Sequence, residues 1–104
     1  MLIDKKTETI VRQYLPNTVS LANLSRFFSA LSDPTRLKII SALSISPMCV
    51  TDLAEVLSLN QTTLSHQLST LRNCGCVEVK RQGKISFYSL SDPSILQVMD
   101  CAVR

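Results

Sequence analysis

Two apolar stripes of helical period, almost touching in the sequence, constrain this chain more than any other feature. Val50, Leu53, Ala54 and Leu57 recur at i, i+3, i+4 and i+7, and Leu64, Leu68 and Leu71 resume the period shortly afterwards. Only Ser58, Leu59 and Asn60 separate the two predicted helices. A link that short makes them cross directly, which is the helix-turn-helix arrangement. Asp52 places a carboxylate in the first turn of the first helix, where the dipole favours it. Asn60 is the expected N-cap of the second, which runs from Gln61 until Asn73 and Gly75 terminate it.

The flanking segments are read in the same way. Ile3, Ile10, Val11 and Tyr14 define an amphipathic helix over 4–15 that stops at Pro16. Leu21, Leu24, Phe28 and Leu31 form one stripe of a second helix, expected to be buried. Asp33 and Pro34 cap and start a third, with Leu37, Ile39, Ile40 and Leu43 on its apolar side, fading at Ser44, Ser46 and Pro47. Beyond Gly75 the texture becomes strand-like. Val77 and Val79, then Ile85, Phe87, Tyr88 and Leu90, flank a turn at Arg81, Gln82 and Gly83. Asp92 and Pro93 restart a last helix carrying Ile95, Val98, Met99 and Ala102 on one face.

The expected fold is mainly α with a small β-hairpin, with the helix-turn-helix at about 50–73 and the hairpin at about 76–90 of a single domain spanning 1–104. No apolar run approaches the roughly 20 residues that cross a bilayer, and Met1 to Lys6 is charged where a secretory segment is oily. A soluble, cytoplasmic protein without a membrane partner is therefore expected.

On a helical wheel, Thr62, Ser65, His66 and Ser69 lie roughly 100° to 200° from Leu64. This outward face is small and polar, suited to approach base edges in a major groove, with Gln61 at the leading end able to bond an adenine edge. Charge placement agrees. From Gln61 to Leu90 the chain has Arg72, Lys80, Arg81 and Lys84 against Glu78 alone, while the remaining residues are neutral overall. A basic excess confined to one third fits a polyanion, although a solvated face has the same composition. A hairpin carrying Lys80, Arg81 and Lys84 can hold phosphates beside a groove.

The run from Phe28 to Leu90 closely resembles the ArsR/SmtB family of bacterial winged helix-turn-helix repressors. The resemblance lies in D-P-T-R-L at Asp33–Leu37, S-H-Q-L at Ser65–Leu68, and R-Q-G-K at Arg81–Lys84 with Y-S-L at Tyr88–Leu90. It implies a sequence-specific transcriptional repressor, homodimeric through its N-terminal and C-terminal helices, bound to double-stranded operator DNA and released by an inducer. It also implies contacts to DNA from Gln61, Thr62, Ser65, His66 and Ser69 of the recognition helix, in agreement with the wheel; Thr63 and Arg72 of the same helix, and Lys80, Arg81 and Lys84 of the hairpin, complete the expected DNA-binding set.

The family's usual inducers are metal or metalloid ions, so As(III), Cd(II) and Zn(II) are the ligands the resemblance implies. Cys49 to Leu53 aligns with the family's C-V-C-D-L thiolate motif, with Thr51 in place of the second cysteine. Residues 1–48 contain no cysteine to complete that set. At the family's other site, on the last helix, Asp92 aligns with the first ligand, Ser94 stands where a histidine is expected, and the remaining ligands would lie beyond Arg104.

Four thiols remain as metal or redox candidates: Cys49, Cys74, Cys76 and Cys101. Cys49 takes a predicted N-cap, where helix dipoles favour negative charge. Cys74 and Cys76 lie where recognition helix meets wing, so a soft ion or oxidation there could act on the reading head directly. An equally open reading takes Cys76 as a small core hydrophobe and Cys74 as incidental. Cys101 falls on the off-core side of the last helix, beside the implied dimer interface.

Two rivals come from other classes. A winged helix can be a protein-interaction module, which would lack salt-dependent DNA affinity. A thiol-redox enzyme needs a low-pKa nucleophile and a resolving thiol, and C-x-C after a helix supports it poorly. Catalysis of any kind is not expected: one histidine and two glycines leave no Ser-His-Asp set and no phosphate-cradling loop.

Overall fold

The structure, a computed structural model, describes the backbone of residues 1–103 and the side chains of residues 1–101. The elements follow in the order α1 (Lys5–Tyr14), α2 (Thr18–Ala30), α3 (Pro34–Leu43), β1 (Met48–Cys49), α4 (Val50–Leu57), α5 (Gln61–Asn73), β2 (Val77–Gln82), β3 (Ile85–Leu90) and α6 (Ile95–Val103). α6 starts at Ile95 because Asp92 forms a turn of its own, its Oδ1 accepting from the Ser94 N–H at 2.9 Å. Ala102, expected on the apolar face of this helix, lies outside the described side chains.

Short polar side chains set the helix starts. Asp4 Oδ1 accepts from Thr7 N at 2.7 Å, Asn17 from Ser20 N at 2.8 Å, Asp33 from Arg36 N at 3.0 Å and Asn60 from Thr63 N at 2.7 Å. The Thr7 N–H holds the Asp4 carboxyl below its usual range. Cys49 precedes α4 without a side-chain cap bond. Ser58, ending α4, is the one non-glycine with positive φ among the described residues, at φ 55° and ψ 43°. Left-handed backbone costs a side-chain-bearing residue on the order of 1 kcal/mol, partly offset by the looser unfolded chain that glycine brings. Ser58→Gly is therefore expected to raise the unfolding free energy by about 0.5 kcal/mol in urea denaturation.

The core gathers on one side of the helix-turn-helix. Ile39, Ile40 and Leu43 of α3, Leu53 and Ala54 of α4, and Leu64, Leu68 and Leu71 of α5 are buried together with Leu31, Cys76, Val77 and Ile95. Deleting water contact from each such side chain contributes about 1.5–3 kcal/mol. All three leucines predicted for the α5 stripe are in this core, so its opposite, polar face is turned outward.

The sheet has three strands, ordered β1-β3-β2 and antiparallel throughout. β1 was not expected from the sequence: two residues show no alternation, and they become a strand only because β3 offers an open edge, pairing Met48 with Tyr88 and Cys49 with Phe87. Gln82 pairs with Ile85, which moves the hairpin turn to Gly83 and Lys84, one step beyond the predicted position. Gly83 has φ 63° and Lys84 is not left-handed, the pattern of a type II′ turn whose twist matches the strands.

The expectation that α2 is buried does not hold. Leu21, Leu24 and Phe28 are 48%, 47% and 50% exposed, and only Ala30 of the helix is buried, followed by Leu31 at its C-cap. α1 has no buried residue, leaving Ile10, Val11 and Tyr14 open to solvent. The physical reason is that α1 and α2 project from the core as an arm. The radius of gyration is 17.9 Å and the long axis 60 Å, against about 13 Å expected for the radius of a compact 100-residue domain.

Candidate nucleic-acid interface

The caps and core contacts of α5 decide what it displays. With Leu64, Leu68 and Leu71 held inside, Gln61, Thr62, Thr63, Ser65, His66, Ser69 and Arg72 are all exposed. Thr63 is committed through its backbone N–H to Asn60, which leaves its hydroxyl available. These hydroxyl, imidazole and amide groups are short, and a face of that kind can approach base edges and phosphates closely.

The wing supplies the charge. Lys80, Arg81 and Lys84 are exposed on the β2-β3 hairpin. Arg81 folds back onto the turn, its Nε donating to Gly83 O at 3.1 Å, while Lys80 Nζ stands 4.0 Å from Glu78 Oε1. The second contact is an exposed pair that contributes little, so it leaves Lys80 free to exchange onto a phosphate. Lys84 sits at the turn itself.

Two residues outside the expected DNA-binding set, Arg36 and Gln67, tie α5 to the arm. Arg36 Nε donates to Ala30 O at 2.5 Å, Nη2 to Ser29 O at 3.4 Å and Nη1 to Gln67 Oε1 at 3.1 Å. One guanidinium thus satisfies terminal carbonyls of α2 and bonds a side chain in the middle of α5. The available signal was local: Arg36 lies in the D-P-T-R-L start, and Gln67 flanks the apolar stripe next to Leu68. Their meeting across 31 residues had no sequence signature.

All four cysteines are free thiols. The one sulfur–sulfur contact among the described residues joins Cys74 and Cys76, at 3.0 Å. Cys49 is half-buried at the β1-α4 junction, lining a surface hollow with Lys84 and Ser86, and Cys101 is exposed on α6. The structure does not bring them to the Cys74–Cys76 pair: among the described residues, no group of three or more His, Cys, Asp and Glu side chains could hold a metal ion. Asp92 is engaged with Ser94, whose backbone N–H holds its carboxyl below the usual range.

Comparison with known proteins gives the same reading. Residues 33–79 match the arsR family of bacterial regulatory proteins, which spans α3, α4, α5 and the start of the wing. A transcriptional repressor SmtB homolog from Synechocystis sp. is 40% identical over 91 residues, 85% of this chain and 69% of that protein. A cadmium resistance transcriptional regulatory protein CadC homolog from Staphylococcus aureus is 37% identical over 81 residues, 77% of this chain and 67% of that one. Among solved structures, the homodimeric winged helix-turn-helix DNA-binding domain of a possible ArsR-family regulator from Mycobacterium bovis superposes with a TM-score of 0.76 at 26% identity, covering 81% of this chain and 78% of its own. The α4-α5 pair is accordingly the helix-turn-helix of a DNA-binding fold, β2 and β3 are its wing, and the chain belongs to the arsR family of bacterial regulatory proteins.

Proposed function

We propose that the chain is an operator-binding transcriptional repressor acting as a symmetric dimer, with residues 1–104 forming one winged helix unit. The observation that carries the reading is the exposed small polar face of α5, followed in the chain by a hairpin whose Lys80, Arg81 and Lys84 are also exposed. In a two-fold dimer each α5 enters a major groove, and the half-sites lie about one helical turn, roughly 34–36 Å, apart. Each wing then holds phosphates through Lys80, Arg81 and Lys84.

The dimer reading rests on the arm. A second copy covers the apolar stripes of α1 and α2 that a single chain leaves in water, an isologous contact of the kind that closed two-fold symmetry builds. Val98 on α6 is also exposed and lines a surface hollow together with Phe27 of α2.

Among the described residues of one chain, no cluster offers As(III), Cd(II) or Zn(II) three or more His, Cys, Asp or Glu ligands. Zn(II) takes four donors when bound structurally, and the described residues offer two neighbouring sulfurs and no third ligand. Release follows linkage: an inducing event that disfavours the DNA-spanning conformation weakens DNA binding by the factor that DNA resists the event.

Fluorescence anisotropy on the DNA upstream of its own coding sequence tests the reading. Affinity is expected to fall steeply with salt as phosphates are released. The variant Ser65→Ala/His66→Ala is expected to lose about 10- to 100-fold at fixed salt, about 1.4–2.7 kcal/mol, from lost base and phosphate contacts. Binding unchanged by that substitution would remove α5 as the reading element.

A further inference from the structure

The end of α5 carries a feature that DNA reading leaves unused. The helix closes in a Schellman turn, with Cys76 N–H donating to Leu71 O at 2.9 Å, Gly75 N–H to Arg72 O at 3.1 Å, and Gly75 at φ 79°. The left-handed glycine reverses the chain over one residue and brings the flanking side chains to the same side. Cys74 Sγ and Cys76 Sγ are consequently 3.0 Å apart. A Cβ at Gly75 would meet nothing within 4 Å, so the position calls for glycine through its left-handed φ and not through a close approach.

The two sulfurs have different environments. Cys74 is half-buried, donates to Leu71 O at 3.2 Å, and lines a cavity of about 320 Å³ shared with Arg26 and Arg36. A small oxidant can reach it there. Cys76 is buried in the core, and that burial, with Cys74 beside it, pushes its thiol up to about 12.

We propose that Cys74 and Cys76 are a dithiol–disulfide modification site, oxidised within one chain by a hydroperoxide, and that closing it weakens operator binding, a coupling that rests on the repressor reading above. The Cys74 thiolate attacks the peroxide, the O–O bond breaks, and Cys74 becomes a sulfenic acid as the leaving oxygen takes up a proton. Cys76 sulfur then attacks Cys74 sulfur. The S–S bond forms, the S–O bond breaks, and the hydroxide leaves as water with the Cys76 proton. Two thiols are oxidised by two electrons and one hydroperoxide is reduced, giving an alcohol (or water, from hydrogen peroxide) and one water. The 3.0 Å separation already lies within the roughly 3–3.5 Å of a near-attack arrangement, which compensates for a sparse Cys76 thiolate.

Closure is transmitted because the pair sits at a joint. A disulfide requires about 2.05 Å between sulfurs, so these must approach by about 1 Å. Cys76 precedes Val77, the first residue of β2, and both are buried in the core cluster that also holds Leu71 of α5, whose carbonyl accepts from the Cys76 N–H. Shortening the sulfur separation retwists the turn at Gly75 and changes the angle between reading helix and wing, which must meet the same DNA together.

The test takes the reduced full chain through a hydrogen peroxide titration, then alkylates the remaining thiols and cleaves after Arg and Lys. One peptide, Asn73–Lys80, contains both cysteines. It is expected to lose two hydrogens without cross-linking to another chain, while operator affinity falls about tenfold or more and returns with dithiothreitol. Cys49→Ser/Cys101→Ser should respond like the parent, whereas Cys74→Ser, and separately Cys76→Ala, should keep full affinity after peroxide. Cys74 is half-buried, so its variant keeps the test open if Cys76→Ala fails to fold. Two freely alkylated thiols in that peptide, a sulfinic acid at Cys74, or a closed disulfide with affinity unchanged each overturns the proposal. Should the reduced chain bind no DNA at all, the repressor reading fails and the coupling with it, and the peptide map decides separately whether the thiol pair closes.

Discussion

Replacing Leu21 and Leu24 together by glutamate is expected to convert the protein to a monomer in light scattering and to lower operator affinity by about 100-fold or more. Both side chains are about half exposed in the single chain, at 48% and 47%, so the change removes little from the core. In the dimer they become part of a covered apolar surface, where a pair of carboxylates from each copy meets its equivalents across a two-fold axis. Burial of such charges without partners costs several kcal/mol, and like charges add to it. A monomer engages one half-site at a time and forfeits the avidity that linkage of two reading heads supplies. Hydrogen exchange is the control: amides of α3, α5 and β3 should keep their protection, because Leu31, Ile40 and Leu68 still pack as before. A stable dimer in this variant would place the interface elsewhere.

The second large effect is on the core. Leu68→Ala should cost about 3–4 kcal/mol in urea denaturation, within the 2–5 kcal/mol range for a buried leucine truncated to alanine. Leu68 is 0% exposed at the middle of α5, flanked on its own helix by Leu64 and Leu71, in the core cluster that α5 shares with α3 and α4. A domain of this size is stable by only about 5–15 kcal/mol, so a substantial unfolded fraction is expected on mild warming. Leu68→Met, which nearly conserves volume, should cost less than about 1.5 kcal/mol. Operator affinity per folded molecule should hardly move in either variant, since the reading residues lie on the opposite side of the helix. A large loss of affinity in Leu68→Met, with stability preserved, would mean that the helix position is far more sensitive to core shape than the cap at Asn60 and the turn at Gly75 imply.

Some of the fold was legible residue by residue. Asp33 with Pro34, and Asn60, were read as helix starts because a short side-chain oxygen can reach a backbone N–H three residues on, and the distances of 3.0 and 2.7 Å show them doing so. Gly75 was read as a terminator because a left-handed residue is needed there, and its φ is 79°. The outward face of α5 followed from the leucine spacing alone. What failed to be legible was contact-dependent: the α2 stripe has the pattern of a buried helix, and periodicity says that a face wants a partner without saying whether the partner is in the same chain.

The sequence alone determined most local conformations: the capped starts of α2, α3 and α5, the existence of the hairpin though not the exact position of its turn, the buried and displayed sides of the helix-turn-helix, and the grouping of basic residues on the hairpin. These depend on hydrogen bonds and periodicities spanning three or four neighbours, and each is encoded within its own segment. Only the tertiary structure decided the rest. β1 exists because β3 has an unpaired edge, Arg36 joins Ala30 to Gln67 because α3 packs against α5 and begins beside the end of α2, and the arm's apolar stripes stay exposed because the described residues of the core do not cover them. Cys74 and Cys76 are an intermediate case. Their spacing was visible, but whether their sulfurs meet depends on the sign of one φ at Gly75 and on the core that holds Cys76 inward. Long-range contacts of this kind are set by the packing energy of the whole chain, which no window of sequence contains.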